Sequence, residues 1–312
     1  MDNLGLIPVE TSMRTWTKKA FEDCDAIVFV GAVGIAVREI APFVKSKDVD
    51  PAVIGLDELG RFCIPLLSGH IGGANALALR IAGATGSVPV VTTATDINGK
   101  ISIDAFAVNR DLSIHRLKPA KEVSARILAG DPVGLVSDVP LEGEVPPELC
   151  GGEDAPTGVY IGERDVDPFP CTLRLIPRCR TLGIGCRRDT PKEKIKSLVE
   201  KVLADAGIPM ASIRACASVD LKKDEKGLLD FAAEHRLPIT FYTSEELNSV
   251  PGEFSKSEFV RSVTAVDCVC ERSAVKVSRG GTVIVRKTAA DGVTVAVAEE
   301  PFSVDFNRRS CK

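Results

Sequence analysis

Short apolar runs alternate along this chain with stretches whose apolar positions recur at helical spacing. Ala26–Val30 reads as a buried strand, followed by Gly31-Ala-Val-Gly34 and a helix through Ile40. Ala52–Leu56 is a second apolar run. Gly72–Gly83 sets Ala and Leu at helical spacing, and Val88–Thr92 reads as another strand. Strands alternating with helices in this way predict an α/β domain with a mainly parallel sheet.

A second region follows Thr95-Asp-Ile-Asn-Gly99. It holds a strand-like run at Leu112–Leu117, a helix at Ala120–Ala129 and an apolar run at Val133–Val136. Pro140 to Pro156 is rich in Pro, Gly and Glu and predicts an exposed loop. A third region starts at Thr181, with a strand at Leu182–Cys186. Thr190-Pro-Lys-Glu193 predicts a helix start, with Thr as cap, Pro in the first turn and Glu at capping-box spacing. That helix should run to Ala206 and stop at Gly207. Ile213–Val219, Leu237–Tyr242, Thr282–Val285 and Val293–Ala298 read as strands with helices between them. The expected architecture is multi-domain α/β, with mainly parallel sheets flanked by helices. The expected division is an N-terminal α/β domain over 1–104, a small middle α/β region over 105–179 and a C-terminal α/β domain over 180–312.

Composition narrows the class. A length of 312 residues exceeds one average domain. Hydrophobic residues at 45% and charged residues at 26% suit a packed globular chain rather than a disordered one. Aromatics are only 5%, so the core must be built from Val, Ile, Leu and Ala. The net charge of -4 argues against nucleic acid as a partner, yet a local basic cluster can still hold an anionic small molecule. The sequence offers no apolar run of the roughly 18 residues that would span a bilayer. Met1–Glu10 lacks the basic-then-apolar order of a signal peptide, so a cytoplasmic location is expected. The ten cysteines are scattered, without a Cys-x-x-Cys pair. Cys268-x-Cys270 is a weak metal signal, and reduced, mostly buried thiols are the expected state.

Candidate chemistry is densest in Ile64-Pro-Leu-Leu-Ser-Gly-His-Ile-Gly-Gly-Ala-Asn75. The apolar run ends in Ser68-Gly69-His70, and Gly72 and Gly73 open a helix. Glycines admit close backbone approach, and a helix start offers N–H groups to an anion. His70 can act as general base, general acid or oxyanion donor, with Ser68 and Asn75 as short polar neighbours. A helix cap with a structural histidine is the competing reading. Thr92, Thr93, Thr95 and Asp96 follow the next strand, where a polar turn capped by Asp96 is the alternative.

Other signals are ordinary one by one. Gly31-x-x-Gly34 lacks the tight Gly-x-Gly turn of a dinucleotide fingerprint. Arg38, about one helical turn on, could hold a carboxylate. Asp57-Glu58 could divide acid and base roles or simply sit in solvent. Arg187 and Arg188 precede a helix start and suit an anion. Glu271 lies beside another helix start, and Lys287 ends a strand.

Taken together these segments resemble the cobalt-precorrin-5A hydrolase family of anaerobic cobalamin biosynthesis. The resemblance rests on Phe29–Arg38, Asp50-Pro-Ala-Val53, Ile64–Asn75, Thr92-Thr-Ala-Thr-Asp96, Gly183-Ile-Gly-Cys-Arg-Arg188, Lys223-Asp-Glu225, Val269-Cys-Glu271 and Val293-Thr-Val-Ala296. It covers nearly the whole chain and is loosest over 105–178. The third region also resembles a small stand-alone protein of the aerobic cobalamin route. Compared with the family pattern, a β-α unit before Trp16–Phe21 is absent or very short. That is expected to reflect native trimming or a late start site.

The resemblance implies opening of the δ-lactone of cobalt-precorrin-5A with release of acetaldehyde. It implies no cofactor beyond the cobalt inside the substrate, and it leaves room for precorrin methyltransferases as partners and for a homodimer. The residue types then suggest roles. His70, Asp96 and Asp57 are the candidate acids and bases. Arg38, Ser68, Gly72, Gly73, Asn75, Thr92, Thr93, Thr95, Arg187, Arg188 and Glu271 are the candidates for holding substrate in a cleft between the first and third regions. The rival readings are a non-catalytic carrier of corrinoid intermediates and, against the broken glycine pattern, a nucleotide-binding protein.

Overall fold

The computed structural model describes residues 7–46, 49–152, 154–256, 264 and 266–307. The first sheet is assembled from α1 (Met13–Asp23), β1 (Ala26–Val30), α2 (Val33–Ile40), β2 (Ala52–Leu56), β3 (Phe62–Leu67), α3 (Ala74–Thr85), β4 (Val88–Pro89) and α4 (Ala94–Ile97). Its strand order is β1-β2-β3-β4. β1 pairs with β2 and β3 with β4 in parallel, but β2 and β3 form an antiparallel hairpin. That hairpin decides where the chemistry sits. Leu67 pairs with Val53 near the start of β2, so the Ser68–Gly73 loop emerges there. Leu56 pairs with Cys63 at the other end, and Asp57 follows in the hairpin turn. The expected strand over Val88–Thr92 is regular only over Val88–Pro89, with the Val90 N–H still donating to the Cys63 carbonyl at 2.8 Å; Pro89 is accommodated because β4 is the sheet edge. Small residues let α3 lie close on β2 and β3, with Ala74, Ala78 and Ala82 against Ile54 and Cys63.

The middle sheet follows from α5 (Ile103–Asn109), β5 (Leu112–Ile114), α6 (Leu117–Ala129), β6 (Gly134–Ser137), β7 (Leu141–Glu142), β8 (Thr157–Ile161) and β9 (Cys171–Pro177). Its order is β5-β9-β8-β6, with β9-β8 and β8-β6 parallel and β5-β9 antiparallel. Leu117 begins α6 rather than ending a strand.

The third sheet comprises β10 (Arg180–Cys186), α7 (Lys192–Asp205), β11 (Ile213–Val219), α8 (Lys226–Glu234), β12 (Ile239–Tyr242), α9 (Ser244–Asn248), α10 (Val269–Val277), β13 (Thr282–Ala290) and β14 (Val293–Glu299), ordered β12-β11-β10-β14-β13. The parallel part, β12-β11-β10, is extended by an antiparallel hairpin, β14-β13. The hairpin turns on Asp291 and Gly292, both with positive φ (49° and 83°), which gives the twist that matches paired strands. α7 and α8 bury Ile195, Leu198, Val199, Leu228 and Phe231 in the largest core. α10 crosses so close to β10 that a side chain at Gly183 would overlap the Cys270 carbonyl. Thr190 does not cap α7. Pro191 holds the cap position without a side-chain bond, and the Thr190 hydroxyl donates to the Arg187 carbonyl instead, at 2.7 Å. α7 still ends as expected before Gly207, which adopts a left-handed φ of +66°.

The chain then returns to the middle region, where it forms a separate two-stranded sheet. β15 (Val304–Asp305) pairs with β7, Val304 is fully buried in the middle core, and Phe306 stacks on Phe106 at 5.2 Å. The last described residues, placed by sequence in the C-terminal domain, therefore pack physically with the middle one. Arg180 binds Glu163 and Arg279 binds Asp111, which adds polar ties between the same two sheets. Among the described residues, no helix is long and apolar enough to cross a membrane. The nine described cysteines are free, five of them buried; Cys311 lies outside the described residues.

Candidate active site at the strand-to-helix elbow

The β3–α3 elbow is built by its own backbone. Ser68 takes a left-handed φ of 57°, and its hydroxyl donates to the Asp50 carbonyl at 2.9 Å. A side chain at Gly72 would run into Ser68, and Gly73 has φ +80°. Both glycines are thus required by the turn itself. The Gly73, Ala74 and Asn75 N–H groups donate to the carbonyls of His70, Ser68 and Gly69 at 3.1, 3.1 and 2.9 Å. The open anion-binding helix start expected from the sequence is therefore largely filled by the loop. The Gly72 N–H has no hydrogen-bond partner among the described residues.

The elbow delivers His70 to the loop after β4. Its Nε2 lies 2.9 Å from Asp96 Oδ2 and 3.3 Å from Thr95 Oγ1. The His70 side chain is 17% exposed and that of Asp96 42%, so the pair is open to a ligand on one side. Asn75, buried, donates from Nδ2 to Asp96 Oδ2 at 3.1 Å and to Thr93 Oγ1 at 2.8 Å. Five residues singled out in two separate sequence segments thus form one connected network: His70, Asn75, Thr93, Thr95 and Asp96. Thr92 is exposed beside them.

Asp57 is not part of it. The β2–β3 hairpin holds it at the opposite end of the sheet, roughly 15–20 Å away at about 3.3 Å per strand residue. There it accepts from the Arg61 N–H at 2.6 Å and from the Arg61 guanidinium at 3.3 Å. Desolvation pushes its carboxyl upward, but these Arg61 bonds outweigh that and hold it below the usual range. Asp57 thus pins the hairpin turn. Arg38 is exposed on α2, and its side chain has no ion-pair partner among the described residues.

In the third sheet, Arg188 is engaged by Asp224 at 2.9 Å and Glu225 at 3.2 Å. Glu225 is buried and also accepts from Lys222 and from the Asp189 N–H. It clamps the loop after β10. This is the physical role of the Lys223-Asp-Glu225 segment, and nothing in the spacing of residues 36 and 37 apart announces it. Arg187 is exposed, its stem lying against Gly292. Glu271 is fully buried. It accepts from the Ser255 N–H and hydroxyl at 2.7 and 2.8 Å, from the Lys287 N–H at 2.8 Å and from Arg286 at 3.5 Å. It therefore ties α10 to β13, and its oxygens are occupied within the protein. Cys268 and Cys270 hold their sulfurs 3.7 Å apart. Among the described residues no group of three or more His, Cys, Asp or Glu is arranged to hold a metal. No hydrogen bond or ion pair joins the His70 network to Arg187 or Arg188 among the described residues.

Fold and site together define an α/β protein carrying a hydrogen-bonded histidine–carboxylate pair at a glycine-built elbow. Three sequence-family models match in tandem: Cobalamin synthesis G N-terminal over 15–96, Cobalamin biosynthesis central region over 101–155 and Cobalamin synthesis G C-terminus over 180–298. The cobalt-precorrin-5A hydrolase of Salmonella typhimurium is 36% identical over 294 residues, covering 88% of this chain and 82% of that one. The cobalt-precorrin-5A hydrolase of Priestia megaterium is 30% identical over 310 residues, covering 93% and 83%. The chain belongs to the cobalt-precorrin-5A hydrolase family. Among solved structures it is similar to CobE, a protein from the cobalamin (vitamin B12) biosynthetic pathway, at 28% identity and a TM-score of 0.37, covering 39% of this chain and 90% of that one.

Proposed function

We propose that this protein is a cobalt-precorrin-5A hydrolase, opening the δ-lactone of that macrocycle and releasing acetaldehyde to give cobalt-precorrin-5B. The observation that carries the chemistry is the 2.9 Å contact between His70 and Asp96, inside a family whose curated members bear that activity in their name. An ionised carboxylate only accepts hydrogen bonds, so Asp96 takes the Nε2–H and leaves Nδ1 as the base. Nδ1 removes a proton from water as the oxygen attacks the lactone carbonyl. The Gly72 N–H, without a partner among the described residues, and the exposed Thr92 hydroxyl are the donors offered to the resulting oxyanion. Collapse breaks the acyl–oxygen bond, and the imidazolium returns its proton to the leaving alkoxide. The freed alcohol sits on the methyl-bearing carbon. Loss of its proton forms a C=O bond, the adjacent carbon–carbon bond breaks, and the electron pair passes into the conjugated macrocycle while acetaldehyde departs.

Arg38 and Arg187, without ion-pair partners, suit carboxylates of the macrocycle. Cobalt belongs to the substrate, and the protein requires no cofactor of its own. A cytoplasmic protein, a homodimer and contacts with neighbouring precorrin methyltransferases belong to the same reading. Acetaldehyde assay tests it: purified protein given cobalt-precorrin-5A should release one acetaldehyde per macrocycle consumed. Stoichiometric binding without acetaldehyde would identify a carrier instead.

A further inference from the structure

Asn75 looks from sequence like a group for holding substrate. The structure turns it the other way. It is buried at 6% exposure in the first turn of α3, and its backbone N–H is fixed to the Gly69 carbonyl at 2.9 Å. Both amide hydrogens point inward across the elbow, one to Asp96 Oδ2 and one to Thr93 Oγ1. The amide cannot be reversed, because its oxygen would then face a carboxylate that has no hydrogen to give. Its oxygen is closed in as well, since even a methyl group at Gly69 would stand 2.8 Å from Asn75 Oδ1. Asp96 Oδ2 thus receives two donors at once, His70 Nε2 and Asn75 Nδ2. His70 Nδ1 has no partner among the described residues.

We infer that Asn75 is a positioning residue that fixes the tautomer of His70: by anchoring Asp96 Oδ2 against Nε2, it keeps the proton on Nε2 and the lone pair on Nδ1. An imidazole with a single carboxylate partner adopts the tautomer which that partner accepts from, and the ring orientation follows. Without the amide, Asp96 sits at the surface end of the four-residue α4 with only His70 to hold it, and its carboxylate is free to rotate toward water. The inference rests on His70 being the base of the proposed reaction, but its first test does not.

Long-range 1H–15N spectra of 15N-labelled protein, recorded in alkaline buffer, report the tautomer of each ring. The protein has three histidines, and loss of one signal set in His70→Gln assigns His70. A single Nε2–H form in the unmodified protein is expected. An Nδ1–H form or an even mixture would overturn the inference, whatever the protein does to cobalt-precorrin-5A. In Asn75→Ala the His70 signals should become a tautomer mixture, and kcat should fall roughly tenfold to a hundredfold, as expected for a misplaced reacting group, with KM changed much less. An unchanged tautomer with a raised KM would make Asn75 a substrate ligand and sink the positioning role. If no acetaldehyde forms at all, the proposed function fails while the tautomer result stands on its own.

Discussion

Replacing His70 with glutamine should slow acetaldehyde release by at least about 100-fold, the lower end of what general acid–base catalysis contributes. Glutamine keeps a donor for Asp96 but has no basic nitrogen for water. Among the described residues its side-chain hydrogen bonds are to Asp96 and Thr95, so folding should lose about 0.5–1.5 kcal/mol. In a chain of this size that is a few degrees of melting temperature. The measurement is turnover per folded molecule beside a melting curve. Normal turnover with a lower melting temperature would make His70 a structural cap and would pass the base role to Asp96.

Replacing Glu271 with glutamine should cost about 1–3 kcal/mol at pH 7, because a fully buried acceptor of the Ser255 and Lys287 N–H groups loses its charge. The dependence on pH has a definite sign. Burial pushes the Glu271 carboxyl up, but the Lys287 N–H, the Ser255 N–H and hydroxyl and the Arg286 charge outweigh it, and the net value lies below the usual glutamate range. A depressed folded value contributes stability above the unfolded value, about 4.3, and that stability is lost as pH falls through the folded one. The gap between the natural protein and the glutamine variant should therefore shrink in denaturant titrations taken from pH 7 to pH 3. A gap that stays constant would mean that the carboxylate's charge does not hold α10 to β13.

Much of this was legible in the sequence because local rules agreed with the tertiary result. β1, β2 and β11 appear at the expected residues; β2 and β11 are buried as expected, but β1 lies at the sheet edge and leaves Val28 and Val30 exposed. The Ser68–Asn75 and Thr92–Asp96 segments meet because β3 and β4 run in parallel and end on the same side. What stayed hidden depended on strand direction and on distant partners. The reversal of β3 on β2 removes Asp57 from the site; it was missed although residues 57–61, with Gly60 at φ +65°, are too few for a parallel crossover. β8 and β9, the centre of the middle sheet, follow a long Pro- and Gly-rich loop and were not anticipated. Arg188 and Glu271 looked ready for a ligand until their partners Glu225, Ser255 and Lys287 came into view. The Asp-Gly turn at 291–292 also carried a readable local signature.

The central claim is that water opens the lactone at its carbonyl. Running the reaction in water enriched in oxygen-18 tests this most directly, with the macrocyclic product weighed by mass spectrometry. Attack on the carbonyl places one heavy oxygen in the newly formed carboxylate, so the product should be two mass units heavier than in ordinary water. A macrocycle that emerges unlabelled, with the ring opened all the same, would contradict the account.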